Sequence, residues 1–372
     1  MWKYQIRVQN SLNPIKCVIV DIFTKNPLKS IGNWKFTAAM NAKTSIKVIT
    51  LGDAACDAIE KYFRKSVEHE AEVLKDKDAE ELHQMRVGLR RLRSAVTGFA
   101  PVLDLPKEAQ ERKIGKVARI LGNLRDLDVI LESLQNRYYP SLPAQEQEVL
   151  DKALLNLLKQ RHRALKGVRA VLEHKSFQML KKSLEDWLEK PKYTAIAQLP
   201  IAEVLPDLLL PQISEFFLHP GWVLGVEFEN GEVKVSDNLG AEAVGEKLAA
   251  QGTVLHDLRK QAKRVRYLMN LFGDFYGDTY EAYVEDVKAV QECLGDIQDT
   301  AVLEEFLGEI FDFDLKKKLP AFEGILAESR YQGWQKWQTL QRRYLSSEVR
   351  QNFRSALIRP AVKAAANGDS AQ

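Results

Sequence analysis

The segment LHQMRVGLRRLR at residues 82–93 returns in altered form as LHDLRKQAKRVR at residues 255–266. The two copies lie 173 positions apart, and the same offset relates a second pair of segments, LGNLRD at residues 121–126 and LGDIQD at residues 294–299. Two unrelated matches would rarely share one offset. The sequence therefore predicts an internal duplication.

Each copy of the longer segment, written as a helix, gathers its basic residues on one stripe. At 100° per residue, the four positions of a stripe fall within about 80° of one another. The stripes consist of His83, Arg86, Arg90 and Arg93 in the first copy and His256, Arg259, Lys263 and Arg266 in the second. The apolar residues lie beside each stripe, so we expect the cations to point into a groove between neighbouring helices, where their charges reinforce one another. A solvated cationic helix face is the alternative, and repetition of the whole stripe favours the groove.

The two motifs together resemble those of the CHAD family, the conserved-histidine α-helical domains. The resemblance covers residues 49–353, most of the chain, and occurs in both halves. It implies an all-α fold, a duplicated pair of four-helix bundles with pseudo-twofold symmetry. It also implies binding of inorganic polyphosphate along a central basic surface, in some members at polyphosphate granules.

The expected phosphate-binding site combines the two stripes with cations of neighbouring helices. It comprises His83, Arg86, Arg90, Arg93, Lys116, Arg119, Arg125, Arg163, His256, Arg259, Lys263, Arg266, Lys336 and Arg343. Arginine offers planar paired donors to two phosphate oxygens, and lysine adds a compact cation. Each stripe extends about 15 Å along its helix, enough to contact several successive phosphates.

The two histidines have three interpretations. They could donate hydrogen bonds to phosphate, which would be favoured if phosphate raised the pKa of the imidazole. They could instead hydrogen-bond a neighbouring helix and be structural. Metal binding is the least favoured, because no histidine or carboxylate follows either histidine at i+3 or i+4.

The shorter motif contains a glycine and an aspartate in each half. We expect Gly122 and Gly295 to permit close contact between helices. Asp126 and Asp299 are expected to pair with arginines of the adjacent helix rather than to act in catalysis.

The net charge of +3 conceals a strong polarisation along the chain. Residues 82–125 hold ten Lys/Arg and three Asp/Glu, whereas residues 277–315 hold one Lys and twelve acids. At the 173-residue offset, the second half has Glu292 and Gln298 where the first has Arg119 and Arg125. We therefore expect unequal contributions to anion binding, with the first half dominant.

Composition also limits the class of protein. A chain of 372 residues that is 45% hydrophobic can bury a large core. The three cysteines, Cys17, Cys56 and Cys293, are widely separated, which indicates neither a disulfide framework nor a zinc site. No apolar run approaches the roughly 20 residues that span a bilayer, and no secretory signal is evident. We expect a cytoplasmic protein without a metal or a cofactor, and the family resemblance adds an association with polyphosphate granules as an expectation.

The sequence divides into five segments. These are an N-terminal extension at 1–46, a first helical-bundle half at 47–175, connecting helices and a β-hairpin at 176–250, a second helical-bundle half at 251–360, and a disordered tail at 361–372. The N-terminal extension is expected to be poorly ordered or to result from a start codon placed before Met40. The hairpin is predicted from two alternating segments that flank Asn230-Gly231, a dipeptide typical of type I′ turns.

Helix boundaries follow from apolar periodicity and from capping residues. In the first half, helices are predicted over 50–74, from the N-cap Asp78 to a point before Pro101 or Pro106, from about 107, and from about 144. In the second half, they are predicted from about 252, from 278 to the motif at 294–299, from 299 to 310, and from 321 to 353. Residues 199–217 contain three prolines, which predicts several short helices.

Catalysis finds little support in the sequence. It has no nucleophile elbow, no Walker A loop and no HExxH motif, and a stripe of cations can bind phosphoanhydride chains without cleaving them. Glu227 and Glu229 do not continue into the lysine of a triphosphate tunnel strand. We expect a binding protein and not an enzyme. The alternatives are a nucleic-acid binder, disfavoured because Tyr267 is the lone aromatic in the stripes, and a scaffold for acidic partner proteins.

Overall fold

The computed structural model describes residues 48–229, 232–235, 239–311 and 315–360. These residues are largely helical, and they include one antiparallel hairpin. The helices are α1 (Leu51–Val67), α2 (Glu70–Lys75), α3 (Ala79–Gly98), α4 (Glu111–Glu132), α5 (Ala144–Glu173), α6 (Lys175–Glu189), α7 (Ile201–Leu218), α8 (Ala241–Leu271), α9 (Asp278–Phe311), α10 (Leu315–Lys318), α11 (Pro320–Leu345) and α12 (Ser347–Ile358). The strands are β1 (Val226–Glu229) and β2 (Glu232–Val235). The predicted all-α fold with a small hairpin is confirmed.

The first half of the chain packs around one apolar core, to which α1 to α6 contribute. Capping residues fix where two of its helices begin. Thr50 and Asp53 form a reciprocal capping box at the start of α1, and Asp78 caps α3 by accepting a hydrogen bond of 2.8 Å from the Glu80 amide. α1 and α3 approach closely at Gly88, where an added Cβ would lie 2.8 Å from the Ser66 hydroxyl. Gly88 therefore sets the spacing of this helix pair.

The second half packs in the same succession. α8 lies against α9, α9 against α11, and α11 against α12, as α3 lies against α4, α4 against α5, and α5 against α6. A cluster of large aromatic side chains fills this second core, including Trp222, Trp337, Tyr344 and Phe353. The repeated succession of helices agrees with an internal duplication, which itself stays a prediction.

A third apolar core joins the far ends of the two helix pairs α4–α5 and α9–α11. Leu134, Leu150 and Leu307 are fully buried in it. The buried carboxylate of Glu146, on α5, accepts hydrogen bonds of 2.8 and 2.9 Å from the first backbone amides of α11. Because these amides have no partner within their own helix, Glu146 serves as a cap supplied from the other half. The sequence did not predict this connection.

Several predicted boundaries are corrected by the structure. Residues 50–74 form two helices, α1 and α2, and residues 321–353 are divided between α11 and α12 at Ser346, whose side chain caps α12. The helix predicted from 252 begins at Ala241, because Val244 packs into the second core and extends the helix toward the N-terminus. The two helices predicted on either side of the 294–299 motif are one helix, α9.

The proline-rich segment is also continuous. α7 contains Pro206 and Pro211, although three prolines predicted short helices. Leu205, Leu209 and Ile213 of this helix are buried in the second core. Packing of this apolar face outweighs the hydrogen bonds that two prolines remove.

The segment predicted as a connection supplies one helix to each core. α6 belongs to the first core through Phe177 and Leu184, and α7 belongs to the second. The hairpin pairs Val226 with Val235 and Glu229 with Glu232, as predicted. Its Asn230-Gly231 turn, the N-terminal extension and the C-terminal tail lie outside the described residues. None of the described helices combines the length and the apolar character that a membrane span requires.

Candidate functional site

The two basic stripes meet where α3 packs on α8. The helices approach at the ends of the stripes, where an added Cβ on Gly98 would lie 2.8 Å from Leu268, and Phe99 packs edge-on against Phe272 at 5.2 Å. About two turns closer to the start of α3, the Arg90 guanidinium lies over the Tyr267 ring, 4.4 Å from its centre. The predicted stripes therefore lie against each other and do not form separate solvated faces.

Lys263 stands at the centre of this meeting point. Three guanidinium groups are close enough to lower its pKa, those of Arg86 and Arg90 from α3 and of Arg259 from α8. Burial has the largest effect. The carboxylate of Asp126 acts in the opposite direction but only in part, so the pKa of Lys263 is lowered to about 8. Burial also lowers the pKa of Arg90, and the charges of Arg86 and Arg266 act in the same direction.

A repeated arrangement holds one arginine of each stripe. Arg86 lies over Gly122, where an added Cβ would be 3.6 Å from its Nε atom, and the guanidinium pairs with Asp126 at 3.1 Å. Arg259 lies over Gly295 in the same way, at 3.4 Å, and is 3.8 Å from Asp299. The prediction that the two aspartates pair with arginines of the adjacent helix is confirmed.

The glycines have a different role from the one predicted. The sequence suggested that Gly122 and Gly295 let two helices approach. The atoms nearest to an added Cβ at either glycine belong to an arginine side chain. Each glycine thus leaves space on the helix surface for a guanidinium to pack against it. The aspartate one turn further along the same helix is the acidic partner of that guanidinium.

The first half contains a further copy of this arrangement. Arg93 lies over Gly115, where an added Cβ would be 3.3 Å from its Nε atom, and its guanidinium pairs with Glu111 at 2.5 Å. The equivalent arginine of the second half, Arg266, donates instead to the side chain of Gln291 at 3.3 Å. The two halves therefore diverge away from the shared centre.

A groove of about 1400 Å³ opens beside the meeting point. Its walls come from α3 and α4 on one side and from α7 and α8 on the other, and the 100–105 loop supplies apolar surface. The cations that line it are Arg86, Arg90, Arg93, Arg119, Lys260, Lys263 and Arg264; the acids are Asp104, Glu111, Asp126 and Asp207. Two of the four acids already pair with Arg93 and Arg86. Positive charge thus exceeds negative charge in this groove, although the chain as a whole is nearly balanced.

Two of these cations lack an acidic partner. Among the described residues, neither Arg90 nor Lys263 forms an ion pair, and the buried Nε atom of Arg90 has no hydrogen-bond partner. Like charges held close together in a partly buried place destabilise the folded chain unless an anion accompanies them. This pair is the feature of the site that most calls for a negatively charged ligand.

The two histidines of the stripes do not line the groove. Burial lowers the pKa of His83, and the charges of Arg125, Arg90 and Arg86 lower it further. Burial likewise lowers the pKa of His256, and the charges of Lys260 and Arg259 lower it further. In the free protein both imidazoles are therefore neutral near pH 7. In the described part of the chain, no group of three or more His, Cys, Asp or Glu is arranged to hold a metal ion.

The predicted site residues fall into three groups. Those that line the groove are Arg86, Arg90, Arg93, Arg119 and Lys263. Those that surround the meeting point without lining the groove are His83, Arg125, His256, Arg259 and Arg266. Those placed elsewhere are Lys116 and Arg163, which are exposed on α4 and α5, Lys336, which lies 3.7 Å from Asp296, and Arg343, which pairs with Asp286 at 2.9 Å.

The groove residues that were absent from the predicted set include three on α8. Lys260, Arg264 and Tyr267 form a row on α8 at i, i+4 and i+7, displaced by one position from the predicted stripe. The sequence displays this row. This row lines the groove because α7 packs alongside α8. The position of α7 could not be predicted, because its proline-rich sequence indicated several short helices.

Comparisons with known proteins agree with this architecture. The family model described as the CHAD domain matches residues 57–308. A crystal structure of the CHAD domain from the plant Ricinus communis is similar over 85% of this chain and 93% of that chain, with 21% identity and a TM-score of 0.50. PptA from Streptomyces chartreusis is similar over 82% of this chain and 99% of that chain, with 14% identity and a TM-score of 0.53. No curated protein matches the sequence.

Proposed function

Since the chain belongs to the CHAD domain family, we propose that it binds inorganic polyphosphate in the groove between α3, α4, α7 and α8. The observation that carries the proposal is the unpaired couple of Arg90 and Lys263 in a partly buried, cation-rich groove. A phosphate at this point would supply the missing negative charge. It would also restore the ordinary pKa of Lys263 and accept from the guanidinium of Arg90.

The shape of the site suits a ligand that has phosphates and no bases. Recognition of single-stranded nucleic acid normally uses aromatic side chains on which bases stack. Tyr267 is the aromatic residue that lines the groove, and Arg90 covers one face of its ring at 4.4 Å. A polyphosphate chain needs only charge and hydrogen-bond donors, and the groove provides both.

We propose binding without catalysis. The acids that line the groove are four carboxylates, and two of them pair with arginines. Neither histidine of the stripes lines the groove. The cations are arranged to hold phosphates, and a bound chain would remain intact. Such a protein would be expected in the cytoplasm and at polyphosphate granules.

The test is a competition experiment with matched variants. Labelled protein is titrated with medium-chain polyphosphate, single-stranded DNA and heparin at several salt concentrations. We expect polyphosphate to bind most tightly and its log affinity to fall linearly and steeply with log salt, because cations of the groove release counterions. Equal competition by all three polyanions would favour the scaffold for acidic partners, and a slope near zero would remove the electrostatic mechanism.

The double variant Arg90→Gln with Lys263→Gln removes the central couple. The control, Arg91→Ala with Lys288→Ala, removes the same charge from positions that do not line the groove; Arg91 lies over the Tyr62 ring and Lys288 pairs with Glu285. We expect the first variant to lose at least tenfold in affinity, since each charge-assisted contact is worth about 1.5–3 kcal/mol before screening. The control should bind as the wild type does. Equal losses would place the ligand elsewhere.

A further inference from the structure

We infer that the groove contacts only a short run of phosphates, between α3, α4 and α8, and that the track does not continue along α9 of the second half. The inference rests on the proposed function and concerns the length of chain that one protein molecule recognises. It implies that short oligophosphates are sufficient ligands.

In the part of the chain that the structure describes, the groove is lined by α4 of the first half but not by α9, the corresponding helix of the second half. The α4 wall consists of Glu111, Gly115, Ala118, Arg119, Gly122, Asn123 and Asp126. α3, α7 and α8 supply most of the remaining lining residues, and among the described residues that line the groove, none comes from α9 or α11. If the two halves offered equivalent tracks, α9 would line a continuation of the groove.

The face of α9 equivalent to the α4 wall is acidic. At the 173-residue offset, Arg119, Asn123 and Asp126 correspond to Glu292, Asp296 and Asp299. The structure supports this register, because Arg259 lies over Gly295 as Arg86 lies over Gly122. The side chains of Asp296 and Asp299 are 48% and 70% exposed, and Glu292 is exposed as well. A polyanion that followed α9 would meet three carboxylates where α4 offers an arginine, an amide and one carboxylate.

The nearby cations of the second half do not compensate. Arg266 donates to Gln291 at 3.3 Å, and Lys336 lies 3.7 Å from Asp296. Arg259, at the centre, lies 3.8 Å from Asp299. The described surface of α9 beyond Arg259 therefore offers no unpaired cation that would attract phosphate.

The remaining track is short. Along α3, the groove cations extend from Arg86 to Arg93, seven residues or roughly 10 Å, and along α8 they extend from Lys260 to Arg264, four residues or roughly 6 Å. Arg119 on α4 faces the same cleft. Once a chain fills this length, additional phosphates make no further contact with cations of the site. Affinity per site and the salt dependence of binding should then stop rising with chain length.

The experiment compares the wild type with a variant that copies the first half into the second. Glu292→Arg with Asp296→Asn places on α9 the residues that α4 carries at 119 and 123. The control, Glu305→Arg with Glu309→Gln, makes the same charge change on the same helix at exposed positions outside the α9 face. Tripolyphosphate, a medium chain and a long chain are titrated against each protein at several salt concentrations.

We expect the wild type to bind the medium and the long chain with equal salt slopes. The copied variant should gain about tenfold in affinity for both longer chains and show a steeper salt slope, with unchanged binding of tripolyphosphate relative to the control. A wild-type slope that keeps rising with chain length would overturn the inference, as would a copied variant no better than its control. A wild type that binds no polyphosphate of any length would instead refute the proposed function.

Discussion

Replacing Lys263 by methionine should stabilise the free protein. Lys263 lies with its ammonium among the guanidinium groups of Arg86, Arg90 and Arg259, and none of the described acids pairs with it within the distance of an ion pair. Methionine keeps most of the side-chain volume and removes the charge. The repulsion and the burial of the ammonium are then both relieved.

The magnitude follows from the pKa. An ordinary lysine has a pKa of 10.5, and that of Lys263 is lowered to about 8. At 1.36 kcal/mol for each pH unit, the charged form of Lys263 costs the folded state roughly 3 kcal/mol. Water in the open groove screens part of this repulsion, so we expect a gain of about 1–2 kcal/mol in the free energy of unfolding near pH 7.

The gain should depend on pH with a defined sign. Below pH 8, Lys263 is protonated in the folded and in the unfolded chain, and the wild type carries the full cost. Between about pH 8 and 10.5 the folded chain releases the proton while the unfolded chain keeps it, so the stability of the wild type rises with pH relative to the variant. Most of the advantage of Lys263→Met should be gone at pH 10.

Urea denaturation of both proteins at pH 7 and pH 10 measures this difference. The control is Lys260→Met, because Lys260 is exposed and pairs with Asp257 at 2.6 Å. Its effect should stay within about 0.5 kcal/mol at both pH values. The reasoning is refuted if Lys263→Met is no more stable than the wild type at pH 7, or if its advantage persists undiminished at pH 10.

Two further predictions concern the inequality of the halves and the third core. The double variant Arg86→Ala with Arg90→Ala should weaken polyphosphate binding at least several-fold more than the double variant Arg259→Ala with Lys263→Ala. Circular dichroism must first show that both variants are folded. Equal losses of affinity would contradict the inequality of the halves. Glu146→Ala should lower the free energy of unfolding by about 1–3 kcal/mol, because it leaves two amides of α11, one buried and one partly buried, without acceptors. Polyphosphate affinity should be unchanged in that variant, and a large loss would show that the third core and the groove are coupled.

The sequence predicted the centre of the site because its signals are local. The spacing of His83, Arg86 and Arg90 fixes one helix face regardless of what packs beside it. The shared offset then indicated that a second stripe, with Lys263, has the same place in its own half. The pairing of Arg86 with Asp126 followed from two motifs on helices expected to be neighbours.

The remainder depends on tertiary contacts that leave no periodic trace. Prolines in residues 199–217 predicted interruption, yet burial of one apolar face keeps α7 continuous and places it along the groove. Glu146 caps α11 through hydrogen bonds to residues that are 175 and 176 positions away in the sequence. Arg343 looked like part of the basic track because of its sequence position, but it turns to Asp286 instead.

The most direct measurement is a crystal structure of the protein with a medium-chain polyphosphate. We expect phosphate density between α3 and α8, with oxygens within hydrogen-bonding distance of the Arg90 guanidinium and the Lys263 ammonium, and density that continues toward Arg93 and Arg119. We expect no ordered phosphate along Glu292 on α9. Phosphates bound at another surface, with Arg90 and Lys263 left without an anion, would contradict the proposed site.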